Sequence, residues 1–393
     1  MKGVIGNPAR KEQYFKRERV RQKIEEALLS NANLVISAPR RIGKTSIMYN
    51  LLDEPLDGYY PIFFEAEDIY DEDTFFKEIL DKISDLDKLQ NIVQLSRQSI
   101  KSLKEFFSRI KSVNVDIKGE FGLELKEENK LNYYEEFRNL VDSIDLGGYR
   151  LLIMIDEFPV TIENINSAFG KGKAIEFLQK NRKLRQDDKI SEKLQFIYTG
   201  SIGLYSVVSG LEATGEINDL RSIRVLQLTL EEGQEMITKL IGPNNIEKID
   251  TEYLLEVIEW RIPFYIQLMV DEIKDLIEIE STLTGKELVN KAFDELIDHV
   301  NFYFDHFRTR LNKSLNGNEL KFAKDILYHT SENGRISESI IVDVANKYGL
   351  IGKWNQIIEI LKYDGYINNN EEKKVYQFNS PIMREWWNKN VKA

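Results

Sequence analysis

Residues 34–46 read LVISAPRRIGKTS, and this stretch decides the fold of the chain. A short apolar run breaks into a loop that ends Gly43-Lys44-Thr45, and residues 47–52 then continue in a helix-compatible pattern. A buried strand, a loop of this composition and a helix, in that order, are typical of a phosphate-binding loop. The backbone N–H groups of such a loop and the N-terminus of the following helix face one point, where negative charge is stabilised. The stretch therefore predicts an anion-binding turn at the edge of a parallel sheet.

Individual residues of this loop have separate predicted tasks. We expect Lys44 to reach the β- and γ-phosphates of a nucleotide and the Thr45 hydroxyl to hold Mg²⁺. Ala38 stands where the motif usually begins with glycine, and alanine is tolerated there only at negative φ. The alternative interpretation is a chance match in a basic turn. The predicted nucleotide contacts of the loop are Ala38, Pro39, Arg40, Arg41, Ile42, Gly43, Lys44, Thr45 and Ser46.

Bulk composition limits the class of protein. A chain of 393 residues is too long for one ordinary core, so we expect two or three domains. No apolar run approaches the roughly 20 residues that cross a bilayer, and residues 1–10 lack the apolar core of a secretory signal. The chain has no cysteine, which excludes disulfides and thiolate metal sites, and its three histidines do not form a metal-ligand cluster in the sequence. This composition predicts a cytoplasmic, nucleotide-type enzyme with no membrane partner.

Charge is distributed unevenly along the chain. Residues 1–50 hold 11 Lys and Arg against 4 Asp and Glu, a local charge of +7, which leaves −18 for the remainder of a chain whose net charge is −11. A basic segment leading into a phosphate-binding loop suits an anionic ligand. The overall acidity argues against non-specific wrapping of nucleic acid.

Strand-like and helix-like stretches alternate over the first 230 residues, which predicts an α/β domain with a parallel sheet. Their β-branched, nearly unbroken hydrophobicity is typical of strands covered on both faces. A helix is predicted over residues 73–85. The predicted strands are residues 34–38, 59–66, 150–155, 194–199 and a shorter fifth at 224–228.

An insertion of about residues 97–130 interrupts this alternation. Residues 99–110 predict a helix, and residues 111–126 alternate polar and apolar side chains around Lys118-Gly119. Such alternation about a Lys-Gly pair predicts a hairpin. The domain prediction is therefore a phosphate-loop α/β domain over residues 1–228 that carries this insertion.

Helical patterns replace strand signals from residue 229 onward. Residues 231–241, 251–260, 264–277 and 286–315 show apolar spacing of 3.6 residues, which predicts a helical lid domain over residues 229–316. The final domain, residues 317–393, contains helical patterns at 319–331, 338–347 and 353–363, followed by a hairpin of residues 366–368 and 375–378. Three helices and a hairpin predict a winged helix.

Two carboxylates follow the strand LLIMIDEF, residues 151–158. Asp156 would hold Mg²⁺ and Glu157 would polarise an attacking water. Strand ends commonly expose acids, but an Asp-Glu pair after a strand, downstream of a phosphate-binding loop, favours the catalytic interpretation. At the end of the next strand, Thr199 and Ser201 are candidates to contact the γ-phosphate or the water. Ser201 is the preferred one, and a plain Thr-Gly-Ser turn is the alternative.

Together these motifs resemble an AAA+-related P-loop ATPase of the STAND class, in the archaeal-type ATPase group with a C-terminal winged helix. The resemblance implies an Mg²⁺-dependent ATP-binding and hydrolysing switch, with ATP and ADP as ligands and the option of a nucleotide-dependent homo-oligomer. The matching segments run nearly the full length of the chain in family order: YFKRE (14–18), APRRIGKTS (38–46), IDEFP (155–159), YTGSIG (198–203) and FNSPIMREWW (378–387).

The resemblance also implies site residues outside the loop. Phe15 and Arg17 match the adenine-side element, and Pro263 matches the lid segment that lines the nucleotide. Arg221 and Arg224 fall where relatives place an arginine that senses the γ-phosphate, from the same chain or from a neighbouring subunit. In this chain Lys16 and Arg261 stand where the family's segments carry glycine.

Two other functions compete with the ATPase switch. Residues 316–393 hold 11 Lys and Arg and 10 Asp and Glu, whereas a dedicated DNA reader is basic, so the winged helix favours a structural or protein-docking role. A nucleotide-regulated DNA-binding protein stays an alternative. The second alternative is a nucleotide-binding scaffold with negligible turnover, because Ala38 and Arg261 stand where glycine is usual.

Overall fold

The computed structural model describes residues 1–85, 96–118, 131–200, 203–280, 282–298, 302–369 and 372–391. Its first part is an α/β unit that extends through the fifth strand. The helices of this unit are α1 (Glu18–Leu29), α2 (Lys44–Asp53), α3 (Glu72–Ile83), α4 (Arg97–Lys118), α5 (Tyr133–Ser143), α6 (Phe158–Phe169), α7 (Lys171–Gln186), α8 (Asp188–Ser191) and α9 (Leu204–Gly210). The strands are β1 (Asn33–Ser37), β2 (Tyr59–Glu65), β3 (Arg150–Asp156), β4 (Leu194–Thr199) and β5 (Leu220–Arg224).

These five strands form a parallel sheet in the order β2-β3-β4-β1-β5. The parallel α/β fold and four of the predicted strands are confirmed. Alternate residues of β3 enter two separate buried clusters, so both faces of the sheet are covered. All carboxyl ends of the strands lie at one edge, where the loop after β1 and the acids after β3 therefore meet.

The fifth strand was placed wrongly by the sequence pattern. It spans Leu220–Arg224 rather than residues 224–228, and three of its five residues are exposed. The apolar residues that follow leave the sheet: Val225 and Leu228 are buried, and Leu228 N–H donates to Arg261 O at 2.7 Å. Val225 and Leu228 are therefore apolar because they pack against the helical region, and not because they pair as a strand.

The predicted hairpin in the insertion is also wrong in its first half. Residues 111–118 continue helix α4 without interruption, and residues 119–126 lie outside the described part of the chain. Apolar residues at 103, 106, 110, 113 and 117 recur at helical spacing. Val113 and Ile117 therefore satisfy both a period of two and a helical period, and the helix is the conformation observed.

Helices dominate after residue 229. Thr229 starts this part with a capping box, in which its hydroxyl accepts from Glu232 N–H at 3.1 Å and its own N–H donates to Glu232 Oε2 at 2.9 Å. Within the predicted helical stretch over 286–315, residues 286–298 and 302–314 are helical, and residues 299–301 lie outside the described part of the chain. The helices are α10 (Leu230–Ile241), α11 (Thr251–Ile258), α12 (Pro263–Ile279), α13 (Gly285–Asp298) and α14 (Phe302–Ser314).

The C-terminal module combines helices with a small antiparallel sheet, in which β8 (Val375–Phe378) lies between β6 (Arg335–Ser337) and β7 (Ile367–Asn368). Trp386 and Trp387 are almost fully buried in it, and the Trp386 ring lies 5.3 Å from Phe304 of α14. Strand β6 had no sequence signal. The elements are α15 (Gly317–Asn333), β6 (Arg335–Ser337), α16 (Glu338–Lys347), α17 (Trp354–Tyr363), β7 (Ile367–Asn368), β8 (Val375–Phe378) and α18 (Pro381–Asn390).

Within the described ranges, none of these helices combines the length and the apolar character that crossing a bilayer requires.

Candidate functional site

The loop between β1 and α2 has the backbone that its sequence predicts. Gly43 immediately precedes α2 with a φ of 99°, a left-handed conformation that glycine adopts without a steric penalty. Arg41 also has a positive φ, 67°, which bends the loop, whereas Ala38 is not among the positive-φ residues. The methyl group of Ala38 therefore meets no backbone strain in place of the usual glycine.

Lys44 is buried at the start of α2. Its Nζ donates to the carbonyls of Ala38, at 2.9 Å, and Pro39, at 3.1 Å, so the side chain curls back over the loop. Burial lowers the pKa of Lys44 to about 8, although the nearby Glu157 and Asp156 favour its charged form. The amine is thus a desolvated cation, held by weak neutral acceptors.

Asp156 ends β3 and is 4% exposed. Its Oδ2 accepts from Thr45 Oγ1 at 2.5 Å, and its Oδ1 accepts from Thr199 Oγ1 at 2.6 Å. Strand β4 lies between β3 and β1, so Thr199 at its end bridges the acid-bearing strand and the loop-bearing strand. The two residues predicted to hold a metal are in direct contact.

This pair suits Mg²⁺ by the chemistry of its donors. Hydroxyl and carboxylate oxygens are hard ligands, and Mg²⁺ usually takes only one or two carboxylates together with substrate phosphates. Among the described residues, no cluster of three or more His, Cys, Asp or Glu that could hold a metal ion is found.

Glu157 directly follows the metal-binding candidate and caps helix α6. Its φ is 56°, in the left-handed region that non-glycine residues seldom adopt. Backbone strain of this kind clusters where a side chain must be aimed precisely for function, and Glu157 lines the same cavity as Lys44 and Asp156.

A cavity of about 370 Å³ connects these groups to the N-terminal segment and the helical region. Arg17 on its wall is 7% exposed; its Nη2 donates to Leu226 O at 2.5 Å, and its Nη1 is buried without a hydrogen-bond partner in the described part of the chain. The predicted site residues that line this cavity are Phe15, Arg17, Arg40, Arg41, Ile42, Gly43, Lys44, Thr45, Ser46, Asp156, Glu157 and Pro263.

Other predicted residues have different positions. Ala38 and Pro39 take part through the carbonyls that hold Lys44. Ser201 lies outside the described residues, and Thr199 makes the strand-end contact instead. The structure does not bring Arg221 to the cavity, because it pairs with Leu34 near the amino end of β1 and its Nη1 donates to Ser30 Oγ at 3.3 Å. Of the two candidate arginines, Arg224 lies at the carboxyl end of β5.

Sequence reasoning missed the N-terminal strap, residues 1–9, as part of the site. Met1 N donates to Lys239 O at 2.8 Å, Val4 N–H to Gln267 Oε1 at 2.6 Å, and Ala9 N–H to Ser46 Oγ at 2.9 Å. The strap thereby crosses from the helical region to the phosphate-binding loop. Irregular backbone of this kind has no periodicity, so no pattern in the sequence could have placed it.

The C-terminal module also touches the phosphate-binding loop, which the sequence did not indicate. Arg40 N–H donates to Tyr363 O at 3.1 Å, and the hydroxyls of Ser37 and Tyr363 are 3.1 Å apart. The end of helix α17 therefore packs directly beside the loop.

Comparison with known proteins supports the fold. The chain is similar to the Walker-type ATPase of Pyrococcus abyssi, with a TM-score of 0.61 and 18% identity over 97% of this chain and 98% of that one. It is also similar to the ORC2 protein of Aeropyrum pernix, solved as ADPNP–ADP complexes, with a TM-score of 0.50 and 12% identity over 99% of this chain and 96% of that one. No protein-family model matches the sequence. The chain thus has the P-loop ATPase fold, a parallel sheet followed by helical regions, along its whole length.

Proposed function

We propose that this chain is an Mg²⁺-dependent ATPase that works as a molecular switch of the AAA+/STAND type. One observation carries the proposal: Lys44, Thr45, Asp156 and Glu157 come from two separate strand ends and line a single cavity. A buried lysine, a hydroxyl–carboxylate pair and a second acid are the groups that phosphoryl transfer to water requires.

Each side chain has a task in this proposal. Lys44 exchanges the carbonyls of Ala38 and Pro39 for the β- and γ-phosphates, which are stronger acceptors for a buried cation. Thr45 and Asp156 would hold Mg²⁺, which neutralises developing phosphate charge when bound. Glu157 orients and deprotonates the attacking water. Because the cavity wall supplies charge and position, little covalent chemistry is asked of the protein.

The base-binding end is proposed for the opposite part of the cavity. Phe15 and Pro263 supply apolar surface there, and the buried Nη1 of Arg17 is a donor that the described residues leave unused. Arg41 joins the two walls, because its guanidinium lies 4.7 Å from the Phe264 ring centre and donates to Gly6 O at 3.2 Å. The preference for adenine rests on the family resemblance.

Switching is proposed to involve three domains: the ATPase domain over residues 1–228, a lid over 229–316 and a winged helix over 317–393. The cavity is lined by both the first domain and the lid, so loss of the terminal phosphate would change their relative orientation. The contact of Tyr363 with Arg40 would pass that change to the winged helix. Arg221 is exposed and would serve only a neighbouring subunit, in a nucleotide-dependent homo-oligomer.

Steady-state phosphate release tests this function. We expect ATP hydrolysis that needs Mg²⁺, is lost with EDTA and does not depend on DNA. Binding of ATP without turnover would indicate the scaffold alternative. Salt-dependent binding of duplex DNA, lost on charge reversal of Lys353 and Lys373, would indicate the nucleotide-regulated DNA-binding alternative.

The affinity for ATP is expected to fall as pH rises above about 8. Burial lowers the Lys44 pKa to about 8 in the nucleotide-free protein, and bound phosphates favour the charged amine and raise this pKa. Binding therefore takes up a proton between the two pKa values, and the affinity falls by up to about tenfold per pH unit in that window. Calorimetric titration with ATP from pH 7 to 10 measures the slope. The Lys44→Arg variant, which stays protonated, should show no such slope, and a flat wild-type profile would contradict the assignment.

A further inference from the structure

Two arginines and a buried aspartate meet beside the phosphate-binding loop. Arg40 belongs to the loop, Arg310 to helix α14, and Asp364 to the turn that ends helix α17. These residues come from all three parts of the chain, and none of them was assigned a shared role by the sequence pattern. We call them the Arg40–Arg310–Asp364 cluster.

Asp364 is only 2% exposed. Its Oδ1 accepts from Arg310 Nε at 2.8 Å, while its Oδ2 is buried and has no hydrogen-bond partner in the described residues. Burial raises the pKa of Asp364, and the neighbouring Arg310 partly opposes this shift. Burying a carboxylate oxygen without a hydrogen bond destabilises the folded protein, so a carboxylate at this position suggests a role other than stability.

Arg40 has the complementary defect. Its Nη1 is a buried donor without a partner among the residues described. The backbone of Arg40 packs on the same turn: its N–H donates to Tyr363 O, and a Cβ built on Gly365 would lie 3.7 Å from Arg40 O. Burial lowers the Arg40 pKa. The nearby Arg310 charge lowers this pKa further, because the two guanidiniums repel each other. Other carboxylates also act on these arginines: Glu157 and Glu67 favour the charged form of Arg40, and Glu163 interacts with Arg310.

The cluster borders the catalytic end of the cavity. Arg40 lines the cavity together with Lys44 and Glu157. His306 of α14 lines it as well, and Arg310 follows four residues later, on the same face of the helix. Under the proposed function, this end receives the terminal phosphate of ATP, which ADP lacks.

We propose that Arg40 and Arg310 bind the terminal phosphate of ATP from within the same chain, and that Asp364 competes with this phosphate for them and so sets the preference between ADP and ATP. This inference rests on the proposed ATPase site. It assigns the phosphate-sensing arginine to the loop and to α14, in place of Arg221.

The chemistry of the groups supports the competition. Guanidinium binds phosphate and carboxylate oxygens with similar bidentate geometry, so the two anions can replace each other. With ADP, Asp364 keeps its hydrogen bond from Arg310. With ATP, the terminal phosphate brings more charge and more acceptors, and Asp364 loses its hold on Arg310. The Arg310–Asp364 bond between α14 and the C-terminal module is thereby weakened only by the triphosphate, whereas the bond from Tyr366 Oη to Phe307 O does not involve the cluster.

Calorimetric titration of the full chain with ADP and with a non-hydrolysable ATP analogue tests the inference. Asp364→Asn removes the competing charge, and the ratio of analogue affinity to ADP affinity is expected to rise roughly tenfold; Arg310→Gln is expected to lower this ratio by a similar factor. Arg308→Gln, an exposed neighbour on α14, is the matched control and should leave the ratio unchanged. Parallel changes for both nucleotides in the Asp364 and Arg310 variants would assign them a structural role only and overturn the inference.

Hydrogen exchange of the wild-type chain tests the same point without substitutions that can disturb folding. Peptides covering residues 357–366 should exchange faster with the ATP analogue than with ADP. Equal protection of these peptides with both nucleotides would overturn the inference. The proposed function would still stand in that case if nucleotide binding depends on Lys44. If wild-type protein binds neither nucleotide, the proposed function itself fails, and this inference fails with it.

Discussion

Replacement of Lys44 by alanine is expected to remove nearly all affinity for ATP. Truncating one partner of a buried, hydrogen-bonded charge pair costs about 2–5 kcal/mol, which corresponds to a loss of roughly thirty- to several-thousand-fold in binding. The lysine is buried and its pKa is lowered, so removing its charge should not destabilise the nucleotide-free protein. Calorimetric titration with ATP, together with a thermal denaturation curve, measures both expectations.

Lys23→Ala is the control for this substitution, because Lys23 is exposed on helix α1. It should bind ATP like the wild type. Wild-type hydrolysis by the Lys44→Ala variant would rule out the phosphate-binding assignment. A Lys44→Ala protein that fails to unfold cooperatively would show instead that the lysine has a structural role.

Replacement of Glu157 by glutamine is expected to preserve ATP binding and to lower the turnover number by roughly a hundred- to ten-thousand-fold, the usual contribution of a general base. Glutamine keeps the shape and hydrogen-bonding reach of the side chain but cannot accept the proton of the attacking water. The left-handed backbone at this position should be unaffected, since both residues have the same branching at Cβ. Single-turnover phosphate release and ATP titration separate the two effects.

Glu192→Gln, at an exposed position before β4, provides the matched control. It should leave both affinity and turnover as in the wild type. If Glu157→Gln weakens binding and turnover by the same factor, the side chain acts in holding the nucleotide and another group must activate the water.

The sequence was informative where chemistry and local geometry coincide. The loop of residues 38–46 and the acids Asp156 and Glu157 each follow an apolar strand directly, so their position at the carboxyl edge of a parallel sheet could be predicted. The structure brings them to one cavity. The shifted fifth strand shows the limit of this reasoning: Val225 and Leu228 are apolar because they pack under the helical region, a contact that strand patterning does not contain.

The contacts of the C-terminal module with the phosphate-binding loop could not be predicted. Tyr363 and Asp364 reach the loop from more than 300 positions away, and each lies in a helix end that is locally ordinary. Arg221 illustrates the opposite case: its match to relatives fixed a place in the chain but not the register of β5 against β1, which leaves it away from the cavity of its own chain. Such features depend on how the domains pack, which no local pattern of residues encodes.

The most direct measurement is a structure of the chain with Mg²⁺ and a non-hydrolysable ATP analogue. We expect the Lys44 amine to leave the carbonyls of Ala38 and Pro39 for the terminal phosphates, and the metal to lie between those phosphates and the Thr45–Asp156 pair. Nucleotide density at another place, or a Lys44 side chain that still contacts only the loop carbonyls while the analogue is bound, would contradict the account.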